Sequence, residues 1–394
     1  MTLVALAMAG PGCATSGSGI QAGEHVTVYV SMALRGPAAV EGRDVVRAAK
    51  LALADAQGRA GKLEVRAVYL DDTGGRGARA RWSQAAAAAN ARAAAEDSSA
   101  IAYLGDFDSG ATRASLPITN EARMLQVSPA SSAIDLVQPF LGAGDPVPEE
   151  VQATGERTFG RVIPSDAVQA EAGAVWARRL GVRRMGTVSD GSEFGRTMVS
   201  AFRQSLPGSR LSRRPDDLPA HAPFYYGGTP NDAPARVSRL IKASCPHPAL
   251  IGSDALLESS LLRPVQAEPF ACLAIAVPRP RGTYITAAAQ DPSQLPPTGQ
   301  RFVKAFAQRY GRQPGRYAAY GYEAMAVVLD SIRRAGDAGD DRDAVVDAFF
   351  DTQDRDSVLG TYSIDEVGDT TLGRLAGFRL ASGRPLFATA LRVP

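Results

Sequence analysis

The stretch from residue 105 to 136, GDFDSGATRASLPITNEARMLQVSPASSAIDL, constrains the fold of this chain more than any other. It follows the apolar run SSAIAYL at 98–104 and contains the apolar run MLQV at 124–127. Both runs have the length and the polar flanks of buried strands in a parallel sheet. Serines and then a helical pattern follow each run. The sequence therefore predicts two successive strand-to-helix turns of an α/β fold.

Both predicted turns carry small hydroxyl residues where a helix would begin. Ser109 follows the first strand, and Ser132 follows the second with Asp135 at capping-box spacing. Ligands of open α/β sheets bind beyond the carboxyl ends of the strands, where free N–H groups of helix N-termini favour a carboxylate or phosphate. The two turns together therefore predict one anion pocket. The alternative is that the serines only cap their helices.

Strand and helix signals alternate along nearly the whole chain, which favours the α/β class with mainly parallel sheets. A loop rich in Gly, Pro and Glu at 142–157 interrupts the alternation, as a crossing between lobes would. The length of 394 residues also favours two domains over one. We therefore expect two α/β units connected near this loop.

The composition and the motifs argue against several functional classes. The 43 basic and 41 acidic residues nearly balance, and no basic stripe typical of a nucleic-acid-binding protein occurs. The sequence contains no GxSxG, Walker A, GxGxxG or HExxH motif. Its three histidines, His25, His221 and His247, lie far apart in sequence. We therefore expect no enzymatic activity, no cofactor, no metal site and no nucleic-acid partner.

The N-terminus resembles a bacterial lipoprotein signal. An apolar stretch from Leu3 to Ala9 precedes Gly-Pro-Gly, Cys13 and the tract ATSGSG. In such signals the cysteine becomes the lipidated first residue of the mature protein. The match departs from the usual pattern because no basic residue precedes the apolar stretch and Gly10 stands where a leucine-like residue is usual. We predict a signal and flexible linker over 1–23, a lipid anchor on Cys13 and a location outside the cytoplasm at the cell membrane.

The two other cysteines, Cys245 and Cys272, lie on either side of the strand-like segment PALIGS. In an exported protein such a pair favours a disulfide, and two buried free thiols are the alternative. Without neighbouring histidines the two cysteines make a poor metal site. No run of about 18 apolar residues, the minimum for a membrane-spanning helix, occurs in the sequence.

From about Val26 to the C-terminus the chain resembles the type I periplasmic binding proteins of ABC importers, in particular the branched-chain amino acid (Leu/Ile/Val)-binding group. The resemblance rests on the order and spacing of several segments: RGPAAVEGRDVVRAAKLALADA, YLDDT, the 105–136 stretch, FGRVIPSDAVQAEAGAVWARRLGV, DGSEFG, YYGG, LIGSDAL and YAAYGYEAMAVVLDSIRRAG. It implies two doubly wound parallel-sheet lobes that close on a ligand around a hinge. The implied boundaries are 24–157 plus 284–370 for lobe 1 and 158–283 plus 371–394 for lobe 2.

The resemblance also implies a binding site for an amino acid in the two turns of lobe 1. Ser109 matches a carboxylate-binding serine, and Ala130 and Ser132 match a backbone and a hydroxyl contact of the second turn. Phe194 matches an aromatic residue of lobe 2 that closes over the ligand. Asp254 matches an acidic residue that pairs with the ligand ammonium, and Tyr317 matches an aromatic wall of the pocket. The alternatives are that the two aromatic residues belong to the core and that Asp254 lies in a solvated turn.

The chain departs from the family pattern at two places. Glu41 stands where branched-chain binders tend to have a tyrosine, so it either points to water or contacts a second polar group of the ligand. The stretch 207–224 is proline-rich and too short for the strand, helix and return that the family has there. Lobe 2 is therefore expected to lack a helix, which would uncover one face of its sheet.

The main functional prediction is an extracytoplasmic solute-binding protein that delivers a small amphipathic solute to an ABC permease. An amino acid is the favoured class of solute. The alternatives are a ligand-sensing module of a signalling system and a family member that no longer binds a ligand.

Overall fold

The computed structural model describes residues 25–139, 151–211, 223–228, 249–257, 282–381 and 384–393. Its strands are β1 His25–Met32, β2 Arg59–Ala60, β3 Leu63–Asp71, β4 Thr73–Gly74, β5 Arg81–Trp82, β6 Ala100–Leu104, β7 Leu125–Ser128, β8 Phe159–Arg161, β9 Gly186–Ser189, β10 Arg210–Leu211, β11 Phe224–Gly227, β12 Ala249–Gly252, β13 Gly282–Ala287, β14 Arg355–Asp356, β15 Thr361–Tyr362, β16 Arg374–Ala381 and β17 Arg384–Arg392. Its α-helices are α1 Ala39–Asp55, α2 Gln84–Glu96, α3 Ser109–Glu121, α4 Asp166–Arg179, α5 Glu193–Ser205, α6 Pro297–Tyr310, α7 Ala318–Arg334 and α8 Arg342–Phe350.

The first sheet has the strand order β2-β3-β1-β6-β7-β8. All neighbouring strands in it are parallel except the short edge strand β2. Its central strands are buried because they are almost wholly apolar: β6 reads AIAYL and every residue of it is buried. Helices α1 and α7 pack against each other, as do α2 and α3. This sheet and its helices are called lobe 1 below.

The second sheet has the order β10-β9-β11-β12-β13-β16-β17. Strands β9 to β13 are parallel, whereas β16 and β17 add an antiparallel ribbon at one edge. Helices α4 and α5 pack against each other and the sheet, where the Phe202 ring stacks on Tyr225 at a centroid distance of 4.0 Å. This sheet and its helices are called lobe 2 below. The parallel order of both sheets brings the carboxyl ends of successive strands to one edge, where ligands of such folds bind.

The strands show where the predicted lobe boundaries are wrong. Strand β8 was assigned to lobe 2, which was predicted to begin at residue 158, but it pairs with β7 in the first sheet. Strand β13, most of which was assigned to lobe 1 from residue 284 onwards, pairs with β12 and β16 in the second sheet. The physical reason is that a short apolar strand carries the same local pattern in either sheet. The loop predicted at 142–157, of which 142–150 lie outside the described residues, therefore precedes strand β8 of lobe 1 in sequence and does not mark the crossing between the lobes.

The second predicted turn also differs from expectation. Only a short 3₁₀ turn, Ile134–Leu136, follows it in the described residues, in place of a regular helix. Ser132 and Asp135 form no capping box, because both oxygens of Asp135 accept hydrogen bonds from Arg113.

Several predictions concern residues outside the described ranges. These are the signal and Cys13, the pairing of Cys245 with Cys272 and most of the shortened stretch at 207–224. They remain predictions. Within the described ranges, no helix has both the length and the apolar character needed to cross a membrane.

Candidate functional site

A cleft of about 750 Å³ lies between the two lobes and is lined by residues of both. Every residue that the sequence predicts for ligand binding lines this cleft: Glu41, Ser109, Ala130, Ser132, Phe194, Asp254 and Tyr317. These residues come from separate elements spread over more than half of the chain, so the fold gathers them at one place.

The two turns of lobe 1 are hydrogen-bonded to each other at the floor of the cleft. The hydroxyl oxygen of Ser109 accepts a hydrogen bond from the backbone N–H of Ala133 at 3.2 Å. The backbone carbonyl of Asp106 accepts hydrogen bonds from the hydroxyls of Ser128 at 2.8 Å and Ser131 at 3.0 Å. Ser109 is also the first residue of α3, whose first-turn N–H groups have no partner within the helix. The floor therefore offers a hydroxyl and helix N–H groups to an anion.

The backbone of the second turn is fixed by a buried arginine. Arg161 at the end of β8 is fully buried and donates from Nη1 to the carbonyl oxygens of Ser131 at 3.2 Å and Ala133 at 2.6 Å. Its Nε donates to Oδ1 of Asp369 at 2.5 Å. The N–H of Ala130 donates to the hydroxyl of Ser128 at 3.2 Å. Arg161 thus acts as a positioning residue for the turn that carries Ala130 and Ser132.

Lobe 2 contributes two carboxylates to the cleft. Asp166, the first residue of α4, is only 3% exposed, and its Oδ1 atom has no hydrogen-bond partner. The pKa of Asp166 is raised to about 6, chiefly by burial, and the charge of Asp254 also raises it. The hydrogen bond with the Ser132 hydroxyl acts in the opposite direction and lowers it. Asp254 accepts hydrogen bonds from Gln169 Nε2 at 3.0 Å and from the Tyr317 hydroxyl at 3.2 Å. Both carboxylates can therefore take a cationic group of a ligand.

Aromatic side chains form the apolar part of the cleft. Phe107 and Tyr317 meet edge to face with their ring centroids 5.1 Å apart, and Phe194 contributes from the first turn of α5. Trp82 lies against the start of α3, so that a Cβ on Gly110 would be 2.3 Å from its ring. A side chain larger than that of glycine at position 110 would therefore displace the indole of Trp82.

Glu41 lies in the first turn of α1, and its side chain lines the cleft rather than projecting into bulk water. Its Oε2 atom is buried and has no hydrogen-bond partner. Burial is the largest cause that raises the pKa of Glu41, and the charge of Arg316 is the largest that lowers it. A half-buried carboxylate of this kind favours a hydrogen-bond donor from the ligand.

An ion-pair network connects the two lobes across the cleft. Arg113 on α3 donates to both oxygens of Asp135, at 2.8 Å and 2.7 Å, and from Nη2 to Oε1 of Glu193 at 2.7 Å. Glu193 begins α5 of lobe 2, so this ion pair is a contact between the two lobes. The bond from Tyr317 to Asp254 likewise joins lobe 1 to lobe 2.

Sequence reasoning missed some of the residues that line the cleft: Trp82, Phe107, Arg113, Asp166, Glu193 and Arg316. Phe107 lies three residues after the apolar run predicted as a strand at 98–104, which was a usable signal for a residue at the carboxyl end of a strand. Arg113 and Glu193 had none, because their contact depends on how the lobes meet. Among the described residues, no group of three or more His, Cys, Asp or Glu side chains could hold a metal ion.

A two-lobed α/β chain with a polar and aromatic cleft between its lobes is the architecture of a solute-binding protein. The periplasmic binding protein family model matches residues 26–215 and 269–383. The chain therefore belongs to the periplasmic binding protein family, which confirms the resemblance and places the protein outside the cytoplasm. No curated protein sequence matches the chain.

Solved structures with the same fold include several solute-binding proteins. A leucine-binding protein from Thermotoga maritima is 22% identical with a TM-score of 0.68, over 93% of this chain and 99% of that one. An ABC transporter substrate-binding protein from Desulfitobacterium hafniense, solved with Leu, is 19% identical with a TM-score of 0.70, over 93% and 100%. A solute-binding protein from Rhodopseudomonas palustris, solved with 3,4-dihydroxybenzoic acid, is 15% identical with a TM-score of 0.68, over 93% and 97%. These similarities confirm the predicted fold class.

Proposed function

We propose that the protein binds an amino acid in the cleft between its lobes and delivers it to an ABC permease. One observation supports this most directly: the cleft holds groups suited to both charges of an α-amino acid. Ser109 and the N-terminus of α3 suit the carboxylate, and Asp254 with Asp166 suits the ammonium. Ser132, beside Asp166, suits either polar group.

An aromatic carboxylic acid is the second candidate ligand. Trp82, Phe107, Phe194 and Tyr317 line the cleft, and the similar protein from Rhodopseudomonas palustris was solved with such an acid. An acid without an ammonium group would leave Asp166 and Asp254 in the closed cleft without a cation, which is costly. We therefore favour the amino acid, as found in the leucine complex of the Desulfitobacterium hafniense protein.

Delivery to a permease rests on the family and on the ABC transporter names of several similar structures. A sensing role for the same cleft is the alternative. Uptake of a radiolabelled ligand into cells with and without this protein distinguishes the two, because a sensor leaves uptake unchanged.

Replacing Ser109 or Ser132 with alanine is expected to weaken ligand binding without unfolding the protein. Each change removes a hydroxyl that can hydrogen-bond to a charged group of the ligand, which costs about 1.5–3 kcal/mol of binding free energy. A thermal-shift screen of amino acids and benzoates identifies the ligand. Isothermal titration calorimetry with that ligand then measures the loss of affinity in each variant. Ser98→Ala, at an exposed turn outside the cleft, is the matched control. Unchanged affinity in both cleft variants would contradict the two-turn pocket.

We also propose that the mature chain begins at a lipidated Cys13, which holds the protein at the membrane. The proposal rests on the apolar stretch, the cysteine and the sequence ATSGSG that follows it. Because a single acyl chain gives only marginal membrane binding, stable anchoring needs the several chains of a lipoprotein. The Cys13→Ser protein is expected to leave the membrane fraction after cell fractionation. Retention of this variant in the membrane fraction would rule out the lipid anchor.

A further inference from the structure

Two side chains of opposite charge line the cleft on its lobe 1 side, beside Tyr317. Glu41 comes from the first turn of α1, and Arg316 directly precedes Tyr317 at the start of α7. The guanidinium carbon of Arg316 lies 5.3 Å from the centroid of the Tyr317 ring. The charge of Glu41 raises the pKa of Tyr317, and the charge of Arg316 lowers it. Both groups therefore lie close to this wall of the cleft. Glu41 and Arg316 are called the charged pair below.

The loop that carries Arg316 is held firmly against α1. Asp44 is fully buried and lies one turn after Glu41 on the same helix. Its Oδ2 accepts a hydrogen bond from the N–H of Gly315 at 3.0 Å, and its Oδ1 accepts one from Arg312 Nη1 at 2.8 Å. Gly315 also packs closely on Glu41, because a Cβ at position 315 would lie 2.5 Å from Oε2 of Glu41 and would displace this carboxylate. The charged pair is therefore positioned before a ligand arrives, which lowers the cost of binding.

The charges of the pair decide which ligand group fits beside it. An aliphatic side chain would cover the Glu41 carboxylate without offering a donor, which is unfavourable. A cationic group would be attracted by Glu41 but repelled by Arg316. An anionic group would be attracted by Arg316 but repelled by Glu41. A neutral group that both donates and accepts hydrogen bonds satisfies both residues, because its N–H faces the carboxylate and its oxygen faces the guanidinium.

We propose that Glu41 and Arg316 form a side-chain subsite that selects an amino acid bearing a terminal carboxamide, with glutamine as the representative ligand. This inference rests on the proposed amino-acid function. It assigns the α-carboxylate and ammonium to the two turns and to Asp254, and the carboxamide to the charged pair. Asp44 acts as a positioning residue for the subsite.

Calorimetric titration of the full chain with glutamine, glutamate, lysine and leucine tests the subsite. Glutamine is expected to bind at least tenfold more tightly than the other three. Glu41→Gln removes the negative charge and leaves Arg316 in place. The affinity for glutamine should therefore fall about tenfold, and glutamate should become the preferred ligand. The matched control is Glu96→Gln, at an exposed position at the end of α2 outside the cleft, and it should keep the wild-type ranking.

Each result either supports or overturns the subsite. Leucine binding as tightly as glutamine, or an unchanged ratio of glutamine to glutamate in Glu41→Gln, would overturn it while leaving the amino-acid function intact. Failure of all four amino acids, with binding of benzoate, would overturn the amino-acid function and the subsite together. Thermal melting of each variant without ligand shows that it is folded.

Discussion

Replacing Asp254 with asparagine is expected to weaken amino-acid binding by about 2–4 kcal/mol, or about 30-fold to 1000-fold. Asparagine keeps the shape of the side chain, and its one oxygen can still accept the hydrogen bond from Gln169 Nε2. At the other position its amide nitrogen can donate to the Tyr317 hydroxyl oxygen, which reverses that hydrogen bond. Asparagine loses the negative charge that pairs with the ligand ammonium in the proposed binding mode. The loss is large because the ammonium would then be desolvated beside a neutral amide.

Titration calorimetry of Asp254→Asn with the preferred amino acid measures this effect. Asp347→Asn, at an exposed position of α8, makes the same chemical change far from the cleft and should bind like the wild type. A loss of less than threefold in Asp254→Asn would remove Asp254 from the proposed ammonium site. Asp166, which is buried beside it, would then be the remaining carboxylate for the cation.

The part of the site that follows two neighbouring strands of lobe 1 could be predicted from the sequence. Strands β6 and β7 are short apolar runs, so their ends, and the serines after them, are marked locally. Parallel neighbours end at the same edge of a sheet, which places Ser109 and Ser132 together without any knowledge of the rest of the fold. The structure brings both residues to the cleft.

The contacts between the lobes could not be predicted in this way. Arg113 and Glu193 are 80 positions apart, and nothing near either of them in sequence specifies the other. The assignment of β8 and β13 to their sheets failed for the same reason, because a strand of three to six residues has no pattern that identifies its neighbours. The position of Glu41 was predicted through the family resemblance, but its proximity to Arg316 emerges only from the packing of α1 against α7.

Replacing Arg161 with methionine is expected to lower the free energy of unfolding by about 3–5 kcal/mol, because it removes one partner of a buried ion pair. Arg161 is fully buried, and its partner Asp369 is 14% exposed on the side chain. Methionine fills much of the space of the arginine stem but donates no hydrogen bond. The carboxylate of Asp369 and the carbonyl oxygens of Ser131 and Ala133 would each lose a donor.

The same substitution should also weaken ligand binding, because Arg161 fixes the backbone that carries Ala130 and Ser132. Urea denaturation followed by circular dichroism measures the stability, and calorimetry at a temperature where the variant is folded measures the affinity. Arg123→Met is the control: Arg123 pairs with Asp343 on the surface, with side chains 58% and 51% exposed, and such pairs contribute little to stability. If Arg161→Met were as stable as this control, the buried pair would not hold the second turn. If it were unstable yet bound the ligand normally, Arg161 would stabilise lobe 1 without positioning the site.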